Sequence, residues 1–167
     1  MIHTLKDLLI SQIRDLYDAE IRNLQMLSKF QSAATDDDLK SAFADHLIET
    51  DAQVARLKEA CSILGVAPEG ETCEATRGLV KEAEDLLAKL VGTAVTNAAI
   101  IVSAQRIEHY EIASYGSAAT FAETLDETAV ADLLKASIAE EKAADAKLKK
   151  LATGGIFSSG VNEKAAH

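Results

Sequence analysis

The sequence predicts an all-α fold, a four-helix bundle of two antiparallel hairpins joined by a long crossover that carries an extra helix. Three observations predict it. Apolar types make up 48% of the 167 residues but aromatics only 4%, with one proline and no tryptophan, a profile suited to long helices. Apolar side chains recur at helical spacing through four long segments. The segments are joined by one very short turn, one long connection and a second very short turn.

The first helix is expected over about residues 4–33, with Leu5, Leu9, Ile13, Leu16, Leu24, Leu27 and Phe30 on one side. "TDDDLKSAF" stops the chain and restarts it. Thr35 is the expected N-cap, and the acids after it meet the positive end of the helix dipole. The second helix continues to about Leu64 and stops at Gly65, with Pro68 soon after. "GVAPEGET" reads as a loop, and "CEATRGLVKEAEDLLAKL" as a shorter helix whose stripe is Leu79, Ala83, Leu86 and Leu90, broken at Gly92. The third and fourth long helices are expected over about 94–122 and 126–152. Residues 1–152 then form one bundle domain, and "TGGIFSSGVNEKAAH" (153–167) reads as a flexible tail. About 30 residues separate the hairpins, enough to run back along a bundle about 40 Å long at ~1.5 Å per residue. That connectivity is the one ferritin-like bundles use.

The net charge is −10, from 27 acids and 17 basic residues, which argues against nucleic-acid or anionic-membrane partners. No run approaches the ~18 apolar residues of a membrane span. Cys61 and Cys73 form neither a disulfide framework nor a zinc motif, and reduced thiols point to a cytoplasmic protein.

Acids lie on the apolar stripes. Glu20 is seven residues from both Ile13 and Leu27, Glu108 from Ile101 and Tyr115, and Glu141 from Leu134 and Leu148. Two heptad steps drift only about 40° around a helix, so each acid shares its neighbours' stripe. All three fall mid-helix, so antiparallel packing brings them to one level. In the second helix Glu49 has Ala42 seven before it but Arg56 seven after, while His46 is seven from Leu39; His46, Glu49 and Gln53 form a mid-helix polar set. Glu111, three after Glu108, and Asp145, four after Glu141, extend the pattern. His109 lies about 100° around the helix from Glu108, a supporting or interfacial position.

An uncompensated ionised carboxylate costs several kcal/mol to bury. Four to six would together exceed the roughly 5–15 kcal/mol that holds a domain folded. Bound cations remove that cost, and hard oxygens with an occasional imidazole suit iron, manganese or zinc. A single glutamate at a stripe edge is commonly just solvated, and Glu49 fits that description; three mid-helix coincidences fit a dinuclear metal site better. Tyr17, one turn before Glu20, reads either as a hydrogen-bond donor or radical sink for the site or as a structural tyrosine.

"DLYDAE" (15–20), "HLIETDAQVARL" (46–57), "AQRIEHYEIASYG" (104–116) and "EEKAADAKL" (140–148) together resemble the YciF-like branch of the ferritin-like superfamily, over nearly the whole chain to about residue 152. The resemblance implies a homodimer associated with bacterial stress responses and carrying two metal ions, iron or manganese. Carried over by position, Glu20 is the single acid from the first helix and Glu108 its counterpart in the third. Glu49 and Glu141 then bridge or chelate from the second and fourth. The superfamily's Glu-x-x-His is absent: Ala52 follows Glu49 by three and Ala144 follows Glu141 by three, leaving His46, Gln53 and Asp145 as substitutes. The expected function is oxidation of Fe(II) by oxygen or peroxide at a carboxylate-bridged pair of ions. The alternative is a non-catalytic stress or scaffold protein with a degenerate site.

Overall fold

A computed structural model describes residues 2–90, 93, 95–155 and 158–166. Its order is α1 (Leu5–Ala33), α2 (Asp37–Ile63), α3 (Glu74–Ala88), α4 (Thr96–Thr124), α5 (Thr128–Thr153), β1 (Gly154–Gly155), β2 (Ser158–Ser159) and α6 (Val161–Ala165). Helix α1 packs mainly on α2, and α4 mainly on α5; α1 also packs on α4, and α2 on α5, which closes the four-helix square. The crossover helix α3 lies across α4 and α1. The expected architecture is therefore the one observed.

Local chemistry sets the ends. Thr4 caps α1 in a reciprocal box with Asp7, each side chain bonding the other's backbone N–H. For α2 the cap is Asp36, one residue beyond the expected Thr35, and it accepts from the Leu39 N–H. Thr35 instead ties the hairpin to α4, exchanging two hydrogen bonds of 2.8 Å with Asn97. Gly65, at φ 71°, ends α2 with its N–H on Ser62 O, and Val66 N–H reaches back to Cys61 O. The α4–α5 turn places Asp126 at φ 58°, a left-handed conformation that a short polar side chain tolerates. Gly92, the expected end of the crossover helix, lies outside the described residues; α3 ends at Ala88.

The segment expected as a flexible tail is folded where it is described. Val161 of α6 is buried with Phe30, Leu39 and Leu148, and Lys164 reaches Asp36 at 2.9 Å. The bundle therefore gains a lid over the Phe30 end rather than stopping at residue 152.

The core is divided. One apolar cluster holds Met26, Leu27, Phe30, Phe43, Ile100 and Ile107, and another holds Leu9, Ile13, Leu16, Leu57, Tyr115 and Leu134. Between them along the helices lie the buried polar residues Glu20, Asn23, His46, Thr50, Gln53, Glu108, Glu111, Ser137 and Glu141. Each fully buried Leu or Ile contributes about 1.5–3 kcal/mol, so two apolar clusters can sustain a polar layer between them.

Candidate metal centre

Glu20, Glu108, Glu111 and Glu141 are 0–1% exposed, so four carboxyl groups from α1, α4 and α5 are out of reach of bulk water. Helix α2 adds His46, 4% exposed. One ligand atom from each of His46, Glu108 and Glu141 lies within 4.8 Å of the others. The imidazole Nε2 is 3.2 Å from Glu108 Oε1 and 3.7 Å from Glu141 Oε2. Glu141 lies beside Glu108 and Glu111, and Glu111 beside Glu20, so the four acids form one run of neighbouring carboxyl groups.

Neutral donors brace this run. Tyr115 donates its phenolic hydrogen to Glu20 Oε1 at 2.7 Å. Asn23 Nδ2 donates to both oxygens of Glu111, at 3.0 and 3.2 Å. Gln53 Nε2 donates to Glu141 Oε1 and, at 3.1 Å, to Glu140 Oε2, which also pairs with Arg56. Thr50 ties its hydroxyl to the His46 carbonyl, 2.8 Å away. Even so, Glu20 Oε2, Glu108 Oε2, Glu141 Oε2 and His46 Nε2 are buried with no hydrogen-bond partner among the described residues.

Burial disfavours the charged forms. It pushes the Glu20 carboxyl up to about 8, helped by the Glu141 charge, and that of Glu108 up to about 7. Burial and neighbouring carboxyls hold Glu111 and Glu141 well above the ordinary range too. Without cations the acids therefore retain protons that they would lose in water.

The donor set fits metal ions. It offers three unpartnered carboxylate oxygens and a ring nitrogen, hard and intermediate donors of the kind manganese, iron and zinc accept. His46 Nδ1 lies 3.0 Å from Glu49 Oε2. With the hydrogen on Nδ1 donated to that carboxylate, Nε2 presents its lone pair to Glu108 and Glu141, as a metal-ligating histidine does.

The remaining expected residues sit around this group. Glu49 is at the rim, its side chain 42% exposed, and reaches the interior through His46. Asp145 lies on the α4–α5 seam, accepting from Gln105 Nε2 at 2.8 Å and facing His109 Nε2 at 3.1 Å. Partial burial pushes its carboxyl up, but the Gln105 hydrogen bond and the His109 and Lys149 charges outweigh that and hold it below the ordinary range. His109 is itself largely exposed. Tyr17 lies at the edge of the Leu16 cluster with the Lys58 ammonium 5.9 Å from its ring centre; the tyrosine bonded to Glu20 is Tyr115. Sequence reasoning also passed over Asn23, although it stands seven residues from both Leu16 and Phe30, the same signal that marked Glu20.

The family model described as a domain of unknown function, DUF892, matches residues 4–166. Protein YciF of Escherichia coli (strain K12) is 39% identical over 161 residues, 96% of this chain and 97% of the relative. The chain belongs to the YciF-like family. Two solved structures of the family match it closely. YcfI from Rhodopseudomonas palustris, described as a candidate structural protein, is 40% identical with a TM-score of 0.87, covering 90% of this chain and 96% of its own. The E. coli stress protein YciF is 38% identical with a TM-score of 0.85, covering 90% and 95%. A Xanthomonas campestris protein at 20% identity and TM-score 0.69 shares the fold, covering 88% and 91%. Among the described residues no helix is long and apolar enough to cross a membrane.

Proposed function

We propose that this YciF-like protein is a stress-associated metal protein whose buried acid layer holds a carboxylate-bridged pair of metal ions, with iron as the working metal and manganese or zinc as substitutes. The observation that carries this reading is the set of buried unpartnered atoms, Glu20 Oε2, Glu108 Oε2, Glu141 Oε2 and His46 Nε2, together with ligand atoms of His46, Glu108 and Glu141 within 4.8 Å of one another. Two divalent ions balance four carboxylates, which removes both the burial cost and the mutual repulsion. Glu20, Glu108, Glu111, Glu141 and His46 would hold the ions, and a ferrous pair held there would supply electrons to oxygen or peroxide. The protein's own part is to fix geometry. Tyr115, Asn23 and Gln53 orient Glu20, Glu111 and Glu141, and Glu49 holds the His46 tautomer. Carboxyl groups that are protonated in the metal-free layer release their protons as cations bind.

Anaerobic Fe(II) loading followed by air tests the reading. About two irons per chain and a new near-ultraviolet absorption support it; neither iron uptake nor absorption ends it. The expected homodimer would be read from gel filtration of the same samples. Reduced Cys61 and Cys73, both buried, suit the expected cytoplasmic setting.

Two observations favour a non-catalytic scaffold. Asn23 and Gln53 already bond several carboxylate oxygens, and Ala52 and Ala144 stand where the superfamily carries histidines. Metal analysis of protein purified without chelator, beside a Glu20→Ala, Glu108→Ala variant, separates the two. Equal metal in both would place the ions outside this layer.

A further inference from the structure

The acid layer is sealed on several sides. Asp145 is covered by Gln105 and His109 on the α4–α5 seam, and Arg56 with Glu140 and Gln53 closes one stretch of the α2–α5 seam. Asn23 and Tyr115 occupy the α1–α4 side. Further along the α2–α5 seam a pocket of about 210 Å³ remains. Its inner end is lined by His46 and Glu108, whose Nε2 and Oε2 are buried without partners. Small side chains, Ala42, Ala143 and Ala144, leave the space between the helices open.

Size and charge identify what this space accepts. At about 210 Å³ the pocket has room for several waters, and so for a divalent ion that keeps part of its hydration shell. Acids run inward from the rim: Asp45 is exposed, Glu49 is half-buried on the wall, and Glu108 lies at the base. Lys147 is the one lysine or arginine among the lining residues, and its Nζ is held 2.8 Å from Asp45 Oδ2. The lining therefore carries a surplus of negative charge, and a narrow low-dielectric cleft focuses that field on an approaching cation.

We propose that this pocket is the inlet through which hydrated divalent cations reach the acid layer, with Asp45 and Glu49 as transit ligands and Lys147 as a latch on Asp45. The inference rests on the metal-binding reading above. An exposed ion pair such as Lys147–Asp45 is held weakly and reopens readily, freeing Asp45 to take the ion. Glu49 then exchanges water on the ion for its own oxygens, one helical turn from His46. The ion passes to His46 Nε2 and Glu108 Oε2, which have no hydrogen-bond partner among the described residues.

Stopped-flow uptake of cobalt(II), followed anaerobically by its visible absorption, tests the inlet separately from the site. Ala143→Phe plugs the channel at an exposed position and is expected to slow uptake about tenfold with the final cobalt content unchanged. Asp45→Asn is expected to slow uptake and Lys147→Ala to speed it, each by about three- to tenfold at low salt and less at high salt. Wild-type rates in Ala143→Phe and in both charge variants, at full cobalt content, would overturn the inlet while leaving the site intact. Should Ala143→Phe fail to fold, equal rates in the two charge variants alone overturn it. No cobalt bound by the wild-type protein would instead remove the metal site, and the inlet with it.

Discussion

Tyr115 is fully buried and spends its hydroxyl on Glu20 Oε1, while Glu20 Oε2 has no partner. Removing that donor leaves a buried carboxyl group with neither oxygen bonded to Tyr115 or to a cation, and an unsatisfied buried polar group costs about 1–3 kcal/mol. Tyr115→Phe is therefore expected to destabilise the metal-free protein by about that amount in urea unfolding, and a loss under ~0.5 kcal/mol would show that the hydroxyl is idle. Much at this scale was legible. Glu20, Glu108 and Glu141 were exposed by their apolar neighbours seven residues away, and all three are buried. The same test ranks the residues of α2: His46 stands in a row with Leu39 and Gln53, all buried, whereas Glu49 shares its row with Arg56 and stays at the rim. Asn23 carried the signal too, but an amide on a stripe raises no charge problem and so attracts no notice. What spacing cannot give is partnership. Nothing in a helical period says that Tyr115 rather than Tyr17 bonds Glu20, because that depends on how α4 and α1 are rotated toward each other.

Elements were legible in proportion to their length. The four long helices repeat their apolar pattern over many turns, so their existence and order were fixed by periodicity, and only their ends shifted by a residue or two. The end of the chain was not legible, because α6 has five residues and β1 and β2 two each, too short for any period to register. What folds that segment back is a contact at Gly160, where an added Cβ would overlap the backbone of Ala152, Thr153 and Gly154. Glycine is required there for close approach rather than for an unusual dihedral, since its φ of −74° suits any residue. Gly160→Ala is thus expected to lift α6 from the bundle, exposing Val161 and parting Lys164 from Asp36. Amide exchange over Val161–Ala165 should quicken by about tenfold or more while α1–α5 keep their protection. Unchanged exchange in α6 would mean that the backbone yields and that the close approach does not hold the segment.

At the scale of the molecule, two apolar clusters hold a layer of acids between them, and the energy of that layer depends on its protons. Glutamate ordinarily titrates near 4.5, but burial lifts Glu108 to about 7 and Glu20 to about 8 in the fold. A raised carboxyl means that the folded state prefers the neutral form. Its stability is therefore complete below pH 4.5 and declines as pH rises through 7 and 8, the reverse of an ion-paired carboxylate. The shift of Glu108 alone corresponds to on the order of 3 kcal/mol at full ionisation. For a chain of this size each kcal/mol moves the midpoint by about 2–4 °C. Metal-free protein is accordingly expected to melt several degrees lower at pH 8 than at pH 5. On the metal-binding reading proposed above, divalent manganese is expected to oppose the trend, because it would bind the deprotonated layer and compete with protons. At a hundred times its dissociation constant a ligand adds about 2.7 kcal/mol, so the increment from manganese should be largest at pH 8 and fade towards pH 5. Glu108→Gln, which stays neutral, should lessen the pH slope, leaving the part due to the other buried acids, and reduce the manganese increment with it. Calorimetry across pH 5–8 with and without manganese reads all three effects. A metal-free midpoint that rises with pH would mean that the buried acids already have protein partners enough, and that the layer has no need of cations.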